Sequence, residues 1–370
     1  MLTAVMALAL LAFEPMSVRA GVPVVEGNAM RPSELLAPRL LRTLAMDALG
    51  RPPLESERAE WSTKSRAELV DALLATRAFW DHWKEEQLYY FLLLNNFRPK
   101  SDRVAAISAE LAEGQLEVRA ATHRIALSSS FDQRNPGADT FVTVVMEQLC
   151  GLEVKKNARE LEIGKKVYDG ADGTFLGASG KTQADLVRIA IQSPQFTRHF
   201  LAREYARYVH AKPDPKELAT WAARFDADPK SFRGIVRDWL LSPAYDARVA
   251  RGAPQENRLF VRALYVDLVG RAPTDEEAEP LREALDGLAD PTPLRGVFAR
   301  LLIDSDKVKL PKREELADAG AWIDGLFARL LGRAPSTEER ATFVGSLAEP
   351  GCRTQTVVYA IVSGAEYARY

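Results

Sequence analysis

At 370 residues the chain is long enough to bury a sizeable core, and its length alone predicts two or three domains. Lysine and arginine total 49 against 51 aspartate and glutamate residues, which gives a formal charge of −2. A broad nucleic-acid footprint needs an excess of basic residues, so this balance argues against a protein that binds DNA or RNA.

The first predicted element is a secretory signal over residues 1–20. An apolar run from Leu2 to Phe13 precedes a small-residue cleavage site that ends at Ala20. The run is too short to span a bilayer. It also lacks the basic residue that precedes the apolar run in most signal peptides. A buried N-terminal helix of a cytosolic protein is the alternative. We expect export to the periplasm or cell surface, with a linker over residues 21–37 and no stable membrane span after cleavage.

A turn at the end of an apolar helix recurs along the chain. Its clearest copies are the Gly-Arg-Ala-Pro steps that begin at Gly270 and Gly332, and Gly50 begins a more diverged copy. Glycine can take the left-handed conformation that ends a helix, and the proline after it cannot continue the helix. Capping-box pairs then predict the start of a second helix; they are Thr274 with Glu277 and Ser336 with Glu339.

Three further copies have diverged. Asparagine replaces glycine before Pro99, only the glycine remains at Gly151, and the turn from His210 to Pro213 has lost both the glycine and the arginine. Each unit closes on a serine or threonine followed by a large side chain, which predicts an N-cap and a residue that docks on the core. The closings end at Phe79, Phe131, Phe196, Tyr245, Val308 and Tyr367.

Four of the turns carry an arginine, namely Arg51, Arg98, Arg271 and Arg333. A row of guanidinium groups could bind carboxylates or phosphates on a partner. Alternatively, each arginine hydrogen-bonds the last carbonyls of the preceding helix and faces the negative end of its dipole. The structural interpretation is favoured, and the four arginines remain candidate partner-binding residues.

One insertion, over residues 167–182, interrupts the repeats. Its four glycines predict a long flexible surface loop, and long loops are where function concentrates. Its candidate partner-binding residues are Tyr168, Asp169, Asp172 and Phe175. If the large apolar side chains pack back onto the helices, the segment is an ordered flap and a candidate partner site; otherwise it is only a tolerated insertion.

No complete catalytic or metal-binding motif is present in the sequence. Gly180-Lys181-Thr182 ends like a phosphate-binding loop, but Phe175 stands where that pattern requires glycine. The acidic residues of the insertion lack the spacing of a calcium loop, and the four histidines form no zinc pair. Cys150 and Cys352 lie in distant units, which favours free thiols over a disulfide. We therefore predict no cofactor, no metal and no catalytic residue.

The Gly-Arg-x-Pro turn, closed later by Ser-x-x-Tyr or Ser-x-Glu-Tyr, resembles a helical domain of unknown function found in bacterial surface and exported proteins. That family is similar to the phycobilisome linker domain, which implies an interaction module without catalytic residues. The N-terminal part resembles an uncharacterised domain of planctomycete-type exported proteins, some of which carry cytochrome domains. The first resemblance rests on residues 260–273 with Ser305 and on 326–335 with 363–367; the second rests on 49–53 and 73–79.

These observations predict an all-α protein of about six tandem helical units, because a single unit cannot bury its own apolar face. The units pack as one curved array or as two lobes, over residues 38–196 and 197–370. We expect an exported, non-enzymatic scaffold or adaptor that binds an envelope protein or a surface polymer. The alternative is an envelope enzyme or electron-transfer accessory subunit with its site near residues 167–182. A protein without a cofactor and without a pocket lined by perturbed ionisable groups would favour the scaffold.

Overall fold

The structure is a computed structural model that describes residues 38–92 and 103–370, together with the backbone of Asp102. The predicted signal, the linker and Arg98 lie outside the described residues. Helices dominate the rest, and a short two-stranded hairpin is the only sheet in the described part of the chain. The predicted all-α class is therefore confirmed, whereas packing as an array of six units stays a prediction.

The larger of two hydrophobic clusters contains buried side chains from Leu41 to Val249. Its amphipathic helices bury residues at steps of three and four, as Phe232, Ile235, Val236 and Trp239 do on one of them. The helices are α1 (Pro38–Leu49), α2 (Glu55–Trp61), α3 (Arg66–Leu74), α4 (Arg77–Leu92), α5 (Asp102–Ala105), α6 (Ile107–Ala112), α7 (Val118–Ala126), α8 (Ser129–Arg134), α9 (Gly137–Val144), α10 (Ala158–Tyr168), α11 (Gln183–Gln192), α12 (Pro194–Val209), α13 (Pro215–Ala227), α14 (Phe232–Leu240) and α15 (Pro243–Arg251), with a π-helix at Val145–Leu149 and 3-10 turns at Val154–Lys156 and Pro229–Ser231.

The smaller cluster contains Met46 and buried side chains from Leu259 to Tyr370. Its helices are α16 (Asn257–Val269), α17 (Asp275–Asp286), α18 (Thr292–Ile303), α19 (Ala319–Leu330), α20 (Thr337–Ala348) and α21 (Thr354–Val362), with a 3-10 turn at Arg313–Glu315. The clusters divide between Val249 and Leu259, whereas the predicted lobes meet at residues 196 and 197. The lobe boundary stays a prediction.

Helix α1 belongs to both clusters. Most of its buried side chains lie in the larger cluster, but Met46 lies in the smaller one. Arg42 donates two hydrogen bonds to Asp267 on α16, at 3.0 and 2.7 Å. One turn further along α1, Asp47 accepts a 3.0 Å bond from Arg248 on α15. This helix therefore ties the two clusters together through two buried ion pairs.

The predicted N-caps before closing aromatic residues are confirmed at Ser193 and Ser242. The Oγ of each serine accepts a hydrogen bond from the backbone N–H of Phe196 or Tyr245, at 3.1 and 3.2 Å. Both rings are buried. Each serine thus starts a helix and fixes the place at which the ring enters the core.

The insertion over residues 167–182, predicted as a long flexible surface loop or an ordered flap, contains a short β-hairpin. Strand β1 (Gly173–Phe175) pairs antiparallel with β2 (Ala178–Gly180) across a two-residue turn. Phe175 is fully buried and packs beside Gly164 of α10, where an added Cβ would lie 3.2 Å from the phenylalanine ring. The segment corresponds to the ordered-flap alternative, because burying one aromatic side chain offsets the entropy cost of ordering the glycines.

Candidate ligand cavity

The three described arginines of the repeated turn make the same set of bonds. Each guanidinium group binds both carboxylate oxygens of the glutamate six residues later, at 2.7 to 2.9 Å. That glutamate also accepts the backbone N–H of the N-cap residue of its own helix. These groups are engaged within the chain, and partner binding through them stays a prediction. The pairs are Arg51 with Glu57, Arg271 with Glu277, and Arg333 with Glu339.

The prediction that these arginines hydrogen-bond the last carbonyls of the preceding helix is wrong. The carbonyl that each arginine reaches belongs to the next residue, and the carboxylate belongs to the helix after the turn. Arg333 also binds Glu366 through two bonds of 2.6 Å, and its hydrogen bonds with both carboxylates raise the pKa of the guanidinium. The bond from Arg333 lowers the pKa of Glu339 to about 2. The arginine therefore links the turn to the start of the next helix.

The structure does not gather the predicted residues of the insertion into one site. Tyr168 is half-buried, with its ring 5.2 Å from that of Phe141. Asp169 and Asp172 are exposed, and Asp172 lies 3.3 Å from Lys181 Nζ. Phe175 is enclosed in the core. Within residues 38–92 and 103–370, no three histidine, cysteine, aspartate or glutamate side chains are grouped as metal ligands.

Both cysteines are free in the structure, as the sequence favours. Cys150 is buried beside the carbonyl of Ala190, and burial raises the pKa of its thiol to about 12. Such a thiol carries almost no thiolate at neutral pH and is therefore a poor nucleophile.

A cavity of about 240 Å³, here called the junction cavity, lies between the two hydrophobic clusters. Helices α1, α4 and α12 line one side, and α16 with Tyr370 lines the other. Buried residues form the floor, namely Met46, Asp47, His82, Tyr208, Leu259 and Tyr370. Its mouth is exposed and consists of Ala206, His210, Pro254 and Glu256. The cavity is thus open at one end and closed by both clusters at the other.

Asp47 is the carboxylate on the floor of the cavity. It accepts a 2.6 Å bond from the hydroxyl of Tyr245 and a 3.0 Å bond from Arg248, yet burial raises the pKa of Asp47 above its usual range. Arg248 also lies 4.3 Å from the centroid of the Tyr370 ring and 3.5 Å from Nε2 of His210. Burial, together with that cation, lowers the pKa of His210. Asp47 and the mouth are therefore connected through one arginine.

His82 is a buried imidazole on α4. Burial lowers its pKa to about 3, so the ring is neutral at neutral pH. In the part of the chain that the structure describes, its Nδ1 atom has no hydrogen-bond partner, and carboxylate oxygens of Glu85 and Glu86 are 3.9 Å away. Those two glutamates are instead paired with Arg262 and Arg258 of α16.

Arg207 on α12 is the guanidinium in the wall of the cavity. It donates to the hydroxyl of Tyr208, while its buried Nε has no hydrogen-bond acceptor and lies 3.5 Å from Oε2 of Glu204. The other oxygen of Glu204 accepts bonds from Gln87 and Arg203, at 2.8 and 3.0 Å. Arg203 and Arg207 therefore share the single negative charge of Glu204, which leaves a net positive charge beside the wall of the cavity.

This concentration of ionisable groups inside a helical protein is typical of a binding or catalytic pocket. Two neutral imidazoles, a guanidinium and protonated tyrosines can bind and orient a small polar molecule, since burial also raises the pKa values of Tyr208 and Tyr370. Sequence reasoning did not find this site. One available signal was His210, which takes a left-handed φ of 54° and stands where four of the other turns have glycine.

Comparisons with family models, with curated proteins and with solved structures found no match to this chain. In the part of the chain that the structure describes, no helix combines the length and the apolar character that crossing a membrane requires.

Proposed function

We propose that the protein is an exported, non-enzymatic scaffold or adaptor that binds another envelope protein. The observation that carries this proposal is an apolar stripe on the surface of the smaller cluster. On helix α18, Leu301 is 64% exposed and Val297 is 50% exposed. Large aliphatic side chains that stand alone on a surface are ordinary, but a group of them marks an interaction site.

Helix α18 places the stripe on the face opposite its core contacts. Ala299, Leu302 and Ile303 are buried in the smaller cluster, whereas Val297 and Leu301 are four residues apart and share the outer face. Aliphatic side chains gain little from contact with a hydrated polysaccharide, and they gain most from being desolvated against an apolar surface. The stripe therefore favours a protein over a surface polymer as the partner.

The test is capture of partners from envelope extract by the wild-type chain and by the double variant Val297→Asp, Leu301→Asp. We expect the double variant to lose the proteins that the wild type captures, because two buried charges would cost several kcal/mol at an interface. Leu127→Asp is the matched control, since Leu127 is 36% exposed at the end of α7 and far from the stripe in sequence. Identical capture by all three proteins would refute the proposal.

Export is tested separately, by fractionation of the source cells and N-terminal sequencing of the protein. The proposal expects the mature chain to begin after Ala20 and to appear in the periplasm or on the cell surface. A cytosolic chain with an intact N-terminus would contradict it.

The alternative function, an envelope enzyme or electron-transfer accessory subunit, is supported by the junction cavity rather than by the insertion at residues 167–182. Its lining includes ionisable groups with shifted pKa values, which is the feature that distinguishes this class from a plain scaffold. Native mass spectrometry of protein isolated from its source cells is the test. A bound organic or metal-containing group that is lost in Ala206→Trp, which fills the mouth, would support this alternative over the scaffold.

A further inference from the structure

The carboxylates on the floor and wall of the junction cavity are already satisfied by donors of the chain. Asp47 is bonded to Tyr245 and Arg248, and Glu86 is paired with Arg258. Among the described residues of the lining, these pairs leave no carboxylate on the floor or wall that needs a cation. The remaining acid, Glu256, lies at the mouth, where burial raises the pKa of its carboxyl group.

Donors, in contrast, are left without acceptors. Among the described residues, the buried Nε of Arg207 has no hydrogen-bond partner and only a 3.5 Å ion pair with Glu204, whose charge it shares with Arg203. Nε and Nη1 of Arg248, behind the floor, lack a hydrogen-bond partner there too. Burying an unpaired donor costs about 1–3 kcal/mol, and more when the group is charged. A ligand that brings an acceptor, and above all a carboxylate, would recover part of this cost at Arg207 through charge-assisted hydrogen bonds.

Part of the lining of the cavity is apolar. Met46, Leu259 and Pro254 offer hydrocarbon surface to the space inside. The volume of about 240 Å³ exceeds the roughly 150 Å³ of a protein cavity that holds benzene. The space therefore suits a small molecule with a short hydrocarbon part, and it excludes a long chain or a polymer.

We propose that the junction cavity binds a small monocarboxylic acid, with its carboxylate against the guanidinium of Arg207 and its short apolar tail against Met46 and Leu259. Glu256 at the mouth disfavours a second negative charge on the ligand, so a dicarboxylate fits less well. This inference does not rest on the scaffold function, because the cavity and the stripe on α18 are made of different residues.

The test is isothermal titration calorimetry of the full chain with hexanoate, hexanol, hexylamine and adipate. These probes share a six-carbon chain and differ in the charge they carry. We expect hexanoate to bind about tenfold or more tightly than hexanol, which is the gain from a charge-assisted pair, and hexylamine to bind weakest. Adipate is expected to bind more weakly than hexanoate. Equal affinity for hexanoate and hexanol, or no binding of hexanoate by the folded wild type, would overturn the proposal.

Two variants locate the site. Arg207→Gln should lower hexanoate affinity about tenfold while leaving hexanol affinity nearly unchanged. The matched control is Arg233→Gln on α14, an exposed arginine for which the described residues show no ion pair, and it should bind as the wild type does. Unchanged binding by Arg207→Gln would contradict the assignment.

Because Arg207 is engaged with Tyr208, its replacement could impair folding. Ala206→Trp adds bulk at the exposed mouth and changes no charge, so it should fold and abolish hexanoate binding. Hexanoate binding by this variant at wild-type affinity would place the ligand elsewhere and overturn the proposal. Partner capture by Ala206→Trp should persist, which separates failure of this inference from failure of the scaffold function.

Discussion

The turns at Gly332 and His210 share a backbone conformation and differ in their side chains. Both residues are left-handed, with φ of 67° and 54°. The helix after each turn begins with a side-chain cap, from Ser336 in one case and Asp214 in the other. The capped backbone is therefore maintained in both copies, whether or not the glycine is present.

The two turns diverge at the residue after the left-handed one. At Gly332 the next residue is Arg333, which binds Glu339 and Glu366 and closes the turn. At His210 the next residue is Ala211, so no arginine closes the turn, and the imidazole of His210 lies at the mouth of the junction cavity. The comparison teaches that a copy that has lost both the glycine and the arginine of the repeat contributes to a candidate site.

The largest effect is expected from Gly332→Ala. A Cβ at Gly332 would lie 2.8 Å from the Cα atom of Arg39, so backbone must move, whereas a Cβ at Gly270 meets nothing within 4 Å. We expect Gly332→Ala to lower the unfolding free energy by about 3 kcal/mol and Gly270→Ala by about 1 kcal/mol, the cost of a left-handed alanine. Chemical denaturation followed by circular dichroism measures both. Equal losses would show that contact with α1 does not distinguish these turns.

The next effect concerns the arginine itself. Arg333 is 18% exposed and forms ion pairs with two glutamates, whereas Arg271 is 48% exposed and forms an ion pair with one. Arg333→Met keeps the hydrocarbon stem and should cost about 2 kcal/mol, against less than about 1 kcal/mol for Arg271→Met. The difference should persist in 1 M salt, because salt screens the more exposed pair of Arg271 before the less exposed pairs of Arg333. If both variants are as stable as the wild type, the arginines do not stabilise the turns.

A smaller effect depends on pH. Arg333 lowers the folded-state pKa of Glu339 to about 2 from an ordinary value of 4.5. The resulting stability is present above pH 4.5 and is lost as the pH falls towards 2. Because solvent screens the pair, we expect it to contribute about 1 kcal/mol to the unfolding free energy. Glu339→Gln should therefore be less stable than the wild type at about pH 6 and nearly equal to it at about pH 2.

The matched control for that experiment is Glu217→Gln, at the equivalent position after the His210 turn, where none of the described arginines forms an ion pair with the glutamate. It should cost less than Glu339→Gln at about pH 6. A pH-independent cost for Glu339→Gln would mean that the ion pair does not account for its stabilising effect.

Local features of the fold could be predicted from the sequence. The left-handed Gly270 and Gly332 and the capping boxes after them depend on residues within one turn of helix, so short motifs determine them. The bonds from Arg271 to Glu277 and from Arg333 to Glu339 span six residues, and the sequence contained both partners without showing that they meet. The hairpin was missed because two three-residue strands are too short to show alternation.

The junction cavity could not be predicted in this way. Asp47, His82 and Arg207 come from three helices separated by long stretches of sequence, and each occupies an ordinary helical position. Only tertiary packing brings them together, and no local pattern specifies that packing. The apolar residues of the floor, Met46 and Leu259, are indistinguishable from core residues in the sequence.

The last prediction separates the two roles of His210. A non-glycine residue in the left-handed region costs about 1 kcal/mol, and glycine removes that strain while making the unfolded chain more flexible. We therefore expect His210→Gly to raise the unfolding free energy by about 0.5 kcal/mol, measured by chemical denaturation. His210→Asn is the control and should be nearly neutral, because asparagine tolerates this conformation.

If glycine stabilises the chain and weakens hexanoate binding, the imidazole contributes to the cavity at a cost in stability. If glycine stabilises the chain and leaves binding unchanged, His210 has no part in the site. A less stable glycine variant would show that the contact of the ring with Arg248 outweighs the backbone strain. Packing, and not ligand binding, would then explain why this turn differs from the turn at Gly332.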